Sequence, residues 1–226
     1  MMKKLHLLLL ITFAVSQVMG QAPEAGFLKV VNLISLKSST FVQLGDFKFN
    51  GGDAITAGDD SGTLMIAPKE YTLTVSNDLA DPKSESVDFA VENGKTIIVM
   101  CYDELMEKSN NEQIHRIRFN LLTETFEGDF PRLSIVSLMK MSSIPIQVNE
   151  ETVILENRQA HRINPEIDDS VEIRFDNRLL EDIAIEKPVH YIAFIYRDPE
   201  TGEAALSLIQ NRKLEYQAPL DDTEED

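Results

Sequence analysis

The chain carries one pattern twice. Leu28-Lys-Val-Val-Asn-Leu33 returns as Leu133-Ser-Ile-Val-Ser-Leu138, 105 positions later. Val42-Gln43-Leu44 returns as Ile146-Gln147-Val148, and Ile66-Ala67-Pro68 as Ile163-Asn164-Pro165. Phe89-Ala-Val-Glu92 matches Ile183-Ala-Ile-Glu186, and 98–102 matches 192–196, both at an offset of 94. The order of the matches is kept while the offset shrinks, as expected of a second copy with a shorter middle. Repeats this long are whole domains, because solenoid units run about 20–50 residues. The first copy spans 27–127 and the second 131–217, with Glu127-Gly-Asp129 as the boundary.

Local patterning makes each copy all-β. Strands are expected at 28–33, 40–44, 47–49, 63–66, 71–75, 86–91, 96–102 and 114–122 in the first copy. In the second they fall at 133–138, 144–148, 152–155, 161–163, 171–175, 182–185, 189–197 and 205–210, with a further candidate at 213–216. Tyr71-Thr-Leu-Thr-Val75 and Val171-Glu-Ile-Arg-Phe175 alternate apolar and polar residues, the period of a half-buried strand. Turn residues separate the strands, among them Asn50-Gly51-Gly52-Asp53, Asn93-Gly94 and Asp198-Pro-Glu-Thr-Gly202. Helix is expected only as a turn or two within 103–111. The expected fold is two tandem immunoglobulin-like β-sandwich domains related by internal duplication, each long enough to build its own core.

Residues 1–20 have the build of a secretory signal peptide. Lys3 and Lys4 precede a short apolar run, and Val18-Met19-Gly20 precedes the expected cut before Gln21. That run is shorter than the roughly 20 residues a spanning helix needs. An exported protein, periplasmic or extracellular, is therefore expected, with no membrane insertion. Removing 1–20 takes away two lysines and no acid, so the net charge deepens from −17 to −19. Such a surface repels nucleic acid and anionic polymers. The end of the chain, 218–226, reads as an acidic, solvated tail. Cys101 is the one cysteine, so no internal disulfide is available. It lies in the apolar run Ile97-Ile-Val-Met-Cys-Tyr102, which points to an inert core thiol rather than a nucleophile.

No catalytic, cofactor-binding or metal-ligating set emerges from the sequence, and no cofactor is expected. Asp60-Ser-Gly-Thr63 has the letters of an aspartyl-protease motif, but loop residues precede it and the second copy has no counterpart. A turn before a strand accounts for it. Asp53, Asp59 and Asp60 are oxygen donors of the kind calcium takes, without the spacing of a calcium loop. Asp168-Asp169 and the pair Asp78 and Asp81 fit turn chemistry equally well. His115, His161 and His190 stand on three separate strands, the first two expected to face solvent and the third to pack at a domain edge. Tyr102 and Tyr196 end the same strand in the two copies, which suggests a shared structural job. The chain has no tryptophan, so a conventional aromatic platform for sugars is not expected.

The opening strand Phe27-Leu-Lys-Val-Val-Asn-Leu33 and the turn Ala67-Pro-Lys-Glu-Tyr71 resemble a class of exported bacterial β-sandwich repeats. That class opens on an apolar-Arg-Val-Val/Tyr-Asn strand and later turns through Pro-Gly-x-Tyr; this chain has lysine in the glycine position. Two such repeats behind a signal peptide are similar in organisation to the periplasmic accessory proteins of alginate O-acetylation. The segment His161-Arg-Ile-Asn-Pro165 falls in a comparable place. The resemblance implies a non-catalytic adaptor or assembly factor that binds envelope or secreted protein partners during polysaccharide modification. The alternative expectation is a carbohydrate-binding module, calcium-assisted or relying on polar loops.

Overall fold

The computed structural model describes residues 24–109, 111–124, 130–186 and 189–212. The expected signal peptide, the boundary residues Glu127 to Asp129, the candidate strand at 213–216 and the acidic tail lie outside the described residues. The first copy forms β1 (Gly26–Leu33), β2 (Thr40–Leu44), β3 (Phe47–Lys48), β4 (Asp60–Ile66), β5 (Glu70–Asn77), β6 (Ser84–Ala90), β7 (Thr96–Glu107) and β8 (Gln113–Glu124). The second forms β9 (Arg132–Ser137), β10 (Ser143–Val148), β11 (Glu151–Glu156), β12 (Ala160–Ile163), β13 (Ser170–Phe175), β14 (Arg178–Ala184), β15 (Val189–Arg197) and β16 (Ala204–Arg212).

The duplication extends to topology. In the first copy the sheets run β4-β1-β7-β8 and β3-β2-β5-β6; in the second, β12-β9-β15-β16 and β11-β10-β13-β14. Each half therefore contains two four-stranded sheets, and the chain is a pair of tandem β-sandwich-like units. Ladder registers agree with the sequence offsets. Leu28 stands opposite Ile97 and Leu133 opposite Tyr191, each across a parallel pair. Tyr71 faces Phe89 as Val171 faces Ile183. One sequence match is displaced: Ile66 pairs with Gly26, whereas Ile163 pairs with Leu133, two rungs along the strand. The first-copy ladder also shifts register by one residue between Lys29 and Val31.

Three apolar clusters share the strands by alternation. On β7, Ile97, Val99 and Cys101 enter the core between the two sheets of the first half. Ile98, Met100 and Tyr102 point the other way, into a cluster that also contains Ile192, Phe194 and Tyr196 of β15. Leu133, Ile135, Tyr191, Ala193 and Ile195 fill the core of the second half. The sheets β4-β1-β7-β8 and β12-β9-β15-β16 thus pack against each other, and each is covered on both faces. This is why β7 and β15 are nearly continuous apolar runs, the signature of strands buried on both sides. The shared cluster draws on equivalent positions of the two copies: Val31 with Val136, Leu33 with Leu138, Ile98 with Ile192, Met100 with Phe194, Tyr102 with Tyr196, and Leu122 with Ile209.

Two local expectations are corrected. The described residues of 103–111 form no helix turn, because Asp103–Glu107 prolongs β7 and pairs with Gln113–Ile117 of β8. The alternation of Asp103, Leu105 and Glu107 with Glu104 and Met106 continues the strand period, and twelve-residue partners carry the hairpin beyond the rest of the sheet. Asp60-Ser61-Gly62 does not precede a strand; it begins β4, with Gly62 at φ 71°. Cys101 is fully buried, and desolvation raises its pKa. A thiol reagent is therefore expected to label Cys101 only at the rate of unfolding, and reductant should leave the thermal transition unmoved. Rapid labelling of the folded protein would contradict this packing.

Candidate functional site

The strongest constellation of reactive groups lies between the two halves. His190, the second residue of β15, accepts or donates a 3.0 Å hydrogen bond between Nε2 and Ser134 Oγ of the adjacent β9. Its Nδ1 lies 2.7 Å from Oε2 of Glu124, the last residue of β8 in the other half. Serine at Nε2 and a carboxylate at Nδ1 are the roles of a Ser-His-acid triad. Access differs. Ser134 is 0% exposed and sits within a strand paired on both sides, to Ile192 and to Arg162. A nucleophilic serine stands on an exposed turn beside free backbone N–H donors. Here the three side chains instead form a hydrogen-bonded chain from one half to the other. Glu124 Oε1 is buried and has no hydrogen-bond partner among the described residues.

Lys29 strengthens the same seam. Although 7% exposed, it reaches Asp60 at 3.5 Å and the carbonyl of Gln210 in the second half at 3.4 Å. This is the work of Asp60 in the protease-like string. Ser61 Oγ accepts from the backbone N–H of Val30 at 3.0 Å, so the string serves as a strand junction.

The two tyrosines singled out by the repeat meet loops of opposite halves. Tyr196 donates toward Ala57 O at 3.4 Å, and Ser207 donates to Gly58 O. A Cβ on Gly58 would lie 2.2 Å from the Tyr196 hydroxyl, and φ there is +90°, so glycine is needed on both counts. Tyr102 lies under Arg158, whose guanidinium carbon is 5.1 Å from the ring centroid. Arg158 also bonds Glu104 at 2.6 Å, and Arg118 joins it at 3.0 Å. The Arg158 hydrogen bond, acting against desolvation and helped by Arg118, holds the Glu104 carboxyl below its usual range. Burial raises both phenols.

Sequence reasoning missed Asp103, because it sits within a segment read as helical. Its side chain is 2% exposed. Ser35 donates to Oδ1 through both N–H (2.6 Å) and Oγ (2.7 Å). His115 Nδ1 lies 2.7 Å from Oδ2, and Lys140 of the second half 3.7 Å. Burial works to raise the Asp103 pKa, but the hydrogen bonds from Ser35 and His115 and the charge of Lys140 prevail and hold it low. His115 is thus only partly solvent-facing, its side chain 32% exposed and anchored on Asp103. His161 borders a cavity with Glu150, Glu151, Glu166 and Asp169, far in the chain from the other histidines. Asp78 and Asp81 pair with Lys83 and Lys108, and Asp168 occupies a left-handed turn position. Among the described residues no three or more His, Cys, Asp or Glu side chains are grouped to hold a metal ion, and no helix is long and apolar enough to cross a membrane.

Two outcomes follow from these contacts. His190→Ala removes the partner of a buried carboxyl, and denaturant melts should record a loss of about 3–5 kcal/mol. Asp103→Asn should cost about 1–3 kcal/mol near neutral pH. Because the folded pKa of Asp103 is depressed, its contribution is complete above the unfolded value of about 3.9 and is lost as pH falls through the folded value. The wild-type and Asp103→Asn stabilities should therefore converge in acid; a gap that persists would deny the charged network.

Compared with protein-family models, the chain matches none, and no curated protein matches it either.

Proposed function

We propose that the chain is a non-catalytic adaptor or assembly factor, exported to the periplasm or cell surface, that binds a protein partner through its sheet edges. The observation that carries this proposal is the end strand β11. It is six residues long, borders its sheet, and leaves Ile154 57% exposed. Soluble proteins usually blunt such edges with lysine, proline or a bulge. An uncovered edge can accept an extended segment through main-chain hydrogen bonds, with an apolar side chain adding affinity. The end strands β3 and β14 likewise expose Phe47 and Leu179. The serine of the triad-like chain is sealed, which favours a binding role over hydrolysis.

Membership of the exported repeat class related to alginate O-acetylation accessory proteins belongs to this proposal. The turn that carries the resemblance has a structural role in support, since the Tyr71 hydroxyl donates to Ala67 O at 2.9 Å across it. Immunoglobulin-like character is proposed only for size and layering. The central parallel pairs β1–β7 and β9–β15 depart from the ABED and CFG strand orders.

The test is cross-linking capture by the mature protein from its source envelope, with calcium or with chelator, using wild type and Ile154→Lys. A defined protein partner recovered under both conditions, and reduced at least fivefold by Ile154→Lys, is expected. Recovery of polysaccharide alone, lost with chelator, would overturn the adaptor proposal in favour of a calcium-dependent glycan binder.

A further inference from the structure

The outer face of the sheet β3-β2-β5-β6 differs in kind from an otherwise acidic chain. Its inner face is the core of the first half, so alternate residues of β5 and β6 look outward in rows of short hydroxyl side chains. Thr74 stands opposite Ser86 with their oxygens 2.9 Å apart, and Ser76 stands opposite Ser84. On β2 the rows continue as Phe41 opposite Ser76 and Gln43 opposite Thr74. Lys48 of β3 lies beyond Gln43. The 3₁₀ turn Phe49–Gly52 then folds back through left-handed Asn50 and Gly51, and it brings Asp53 to the rim. Phe41, Gln43, Lys48, Asp53, Thr74 and Ser76 line a partly open cavity of about 200 Å³.

The chemistry of this lining is specific. The Phe41 ring is 44% exposed although its neighbours Thr40 and Val42 are buried. Lys48 and Asp53 bring one charge of each sign, and no ion pair among the described residues engages either one. Gln43, whose Nε2 donates to Gly45 O, offers its Oε1, and Ser76 a hydroxyl with no side-chain bond among the described residues. A flat apolar ring beside both donors and acceptors, with no net charge, matches a ligand that has one C–H face and a rim of neutral hydroxyls. An anionic ligand would meet Asp53 and a chain of net charge −17. A drug-sized ligand needs about 300 Å³ or more.

We propose that this cavity is a subsite for one neutral hexopyranose residue of a glycan chain. Phe41 lies under the C–H face of the ring, while Gln43, Lys48, Asp53 and Ser76 bind its hydroxyls. The subsite goes beyond the adaptor proposal and does not depend on it, because it requires glycan and no protein partner. The equivalent outer face of the second half presents Pro145, Gln147, Thr152 and Arg174 in place of the phenyl ring and the hydroxyl rows. It therefore serves as an internal control.

The experiment is amide-shift titration of the purified mature protein with β-1,4-glucohexaose, α-1,4-glucohexaose and β-1,4-mannohexaose, in chelator. Saturable shifts at Phe41, Gln43 and Ser76 with at least one of these are expected. Phe41→Ala and Asp53→Asn should each weaken that binding at least fivefold, while Gln147→Ala leaves it unchanged. No saturable binding by any of the three, shifts that map elsewhere, or affinity indifferent to Phe41→Ala would each overturn the subsite. None of those outcomes alters capture by the β11 edge, so the two proposals fail separately.

Discussion

The structure rests on burying two sheets on both faces. A central strand of an ordinary sandwich needs apolar residues on one side only, whereas β1, β7, β9 and β15 need them at nearly every position. Any polar group on these strands must then find a partner inside the protein, since an unpaired one costs several kcal/mol. The exceptions obey this requirement. Asn32 donates to Ile55 O at 2.8 Å and accepts from the Ile34 N–H at 3.2 Å. Lys29 has Asp60 and a carbonyl of the other half. Ser134 and His190 have each other and Glu124.

The polar contacts between the halves are consequences of that burial rather than additions to it. Apolar surfaces slide over one another at little cost, whereas a chain such as Glu124–His190–Ser134 forms in one alignment only. The contacts Asp103–Lys140 and Glu104–Arg158 add a second fixed point where the β7–β8 hairpin overhangs its sheet. The outer sheets β3-β2-β5-β6 and β11-β10-β13-β14 keep one face outside these cores. They bear the exposed Phe41 and Ile154 and the neutral cavity on the first half.

Much of the fold was legible because alternation and turn residues are local signals. β2 and β15 have the bounds that their sequences predict, and the ladder rungs of the two copies agree with the repeat offsets. The helix turn expected at 103–111 rested on a local preference, since Glu, Leu, Met and Lys favour helix, and pairing with β8 overrode it. The third apolar cluster was present in the sequence as Ile97-Ile-Val-Met-Cys-Tyr102, a run with no polar face, yet a run cannot say what covers its second side. The candidate sites were the least legible. Glu124, Ser134 and His190 come from three strands, and Asp103 draws Ser35, His115 and Lys140 from three more places in the chain. Only the pairing of strands and the packing of sheets bring such groups together. The Phe41 cavity depends in addition on two left-handed residues of a turn, which the string Asn50-Gly-Gly-Asp53 announces without giving its direction.

The surface shared by the halves uses the same positions on each: Val31 and Val136, Ile98 and Ile192, Tyr102 and Tyr196. Such a self-complementary contact is satisfied by two copies and leaves no mate for a third. Had the repeats met head to tail through unlike faces, each chain would have kept one adhesive face and one receptive face, the recipe for a filament. Duplication within one chain therefore saturates its own stickiness. The protein can carry large apolar strands without assembling with itself through them.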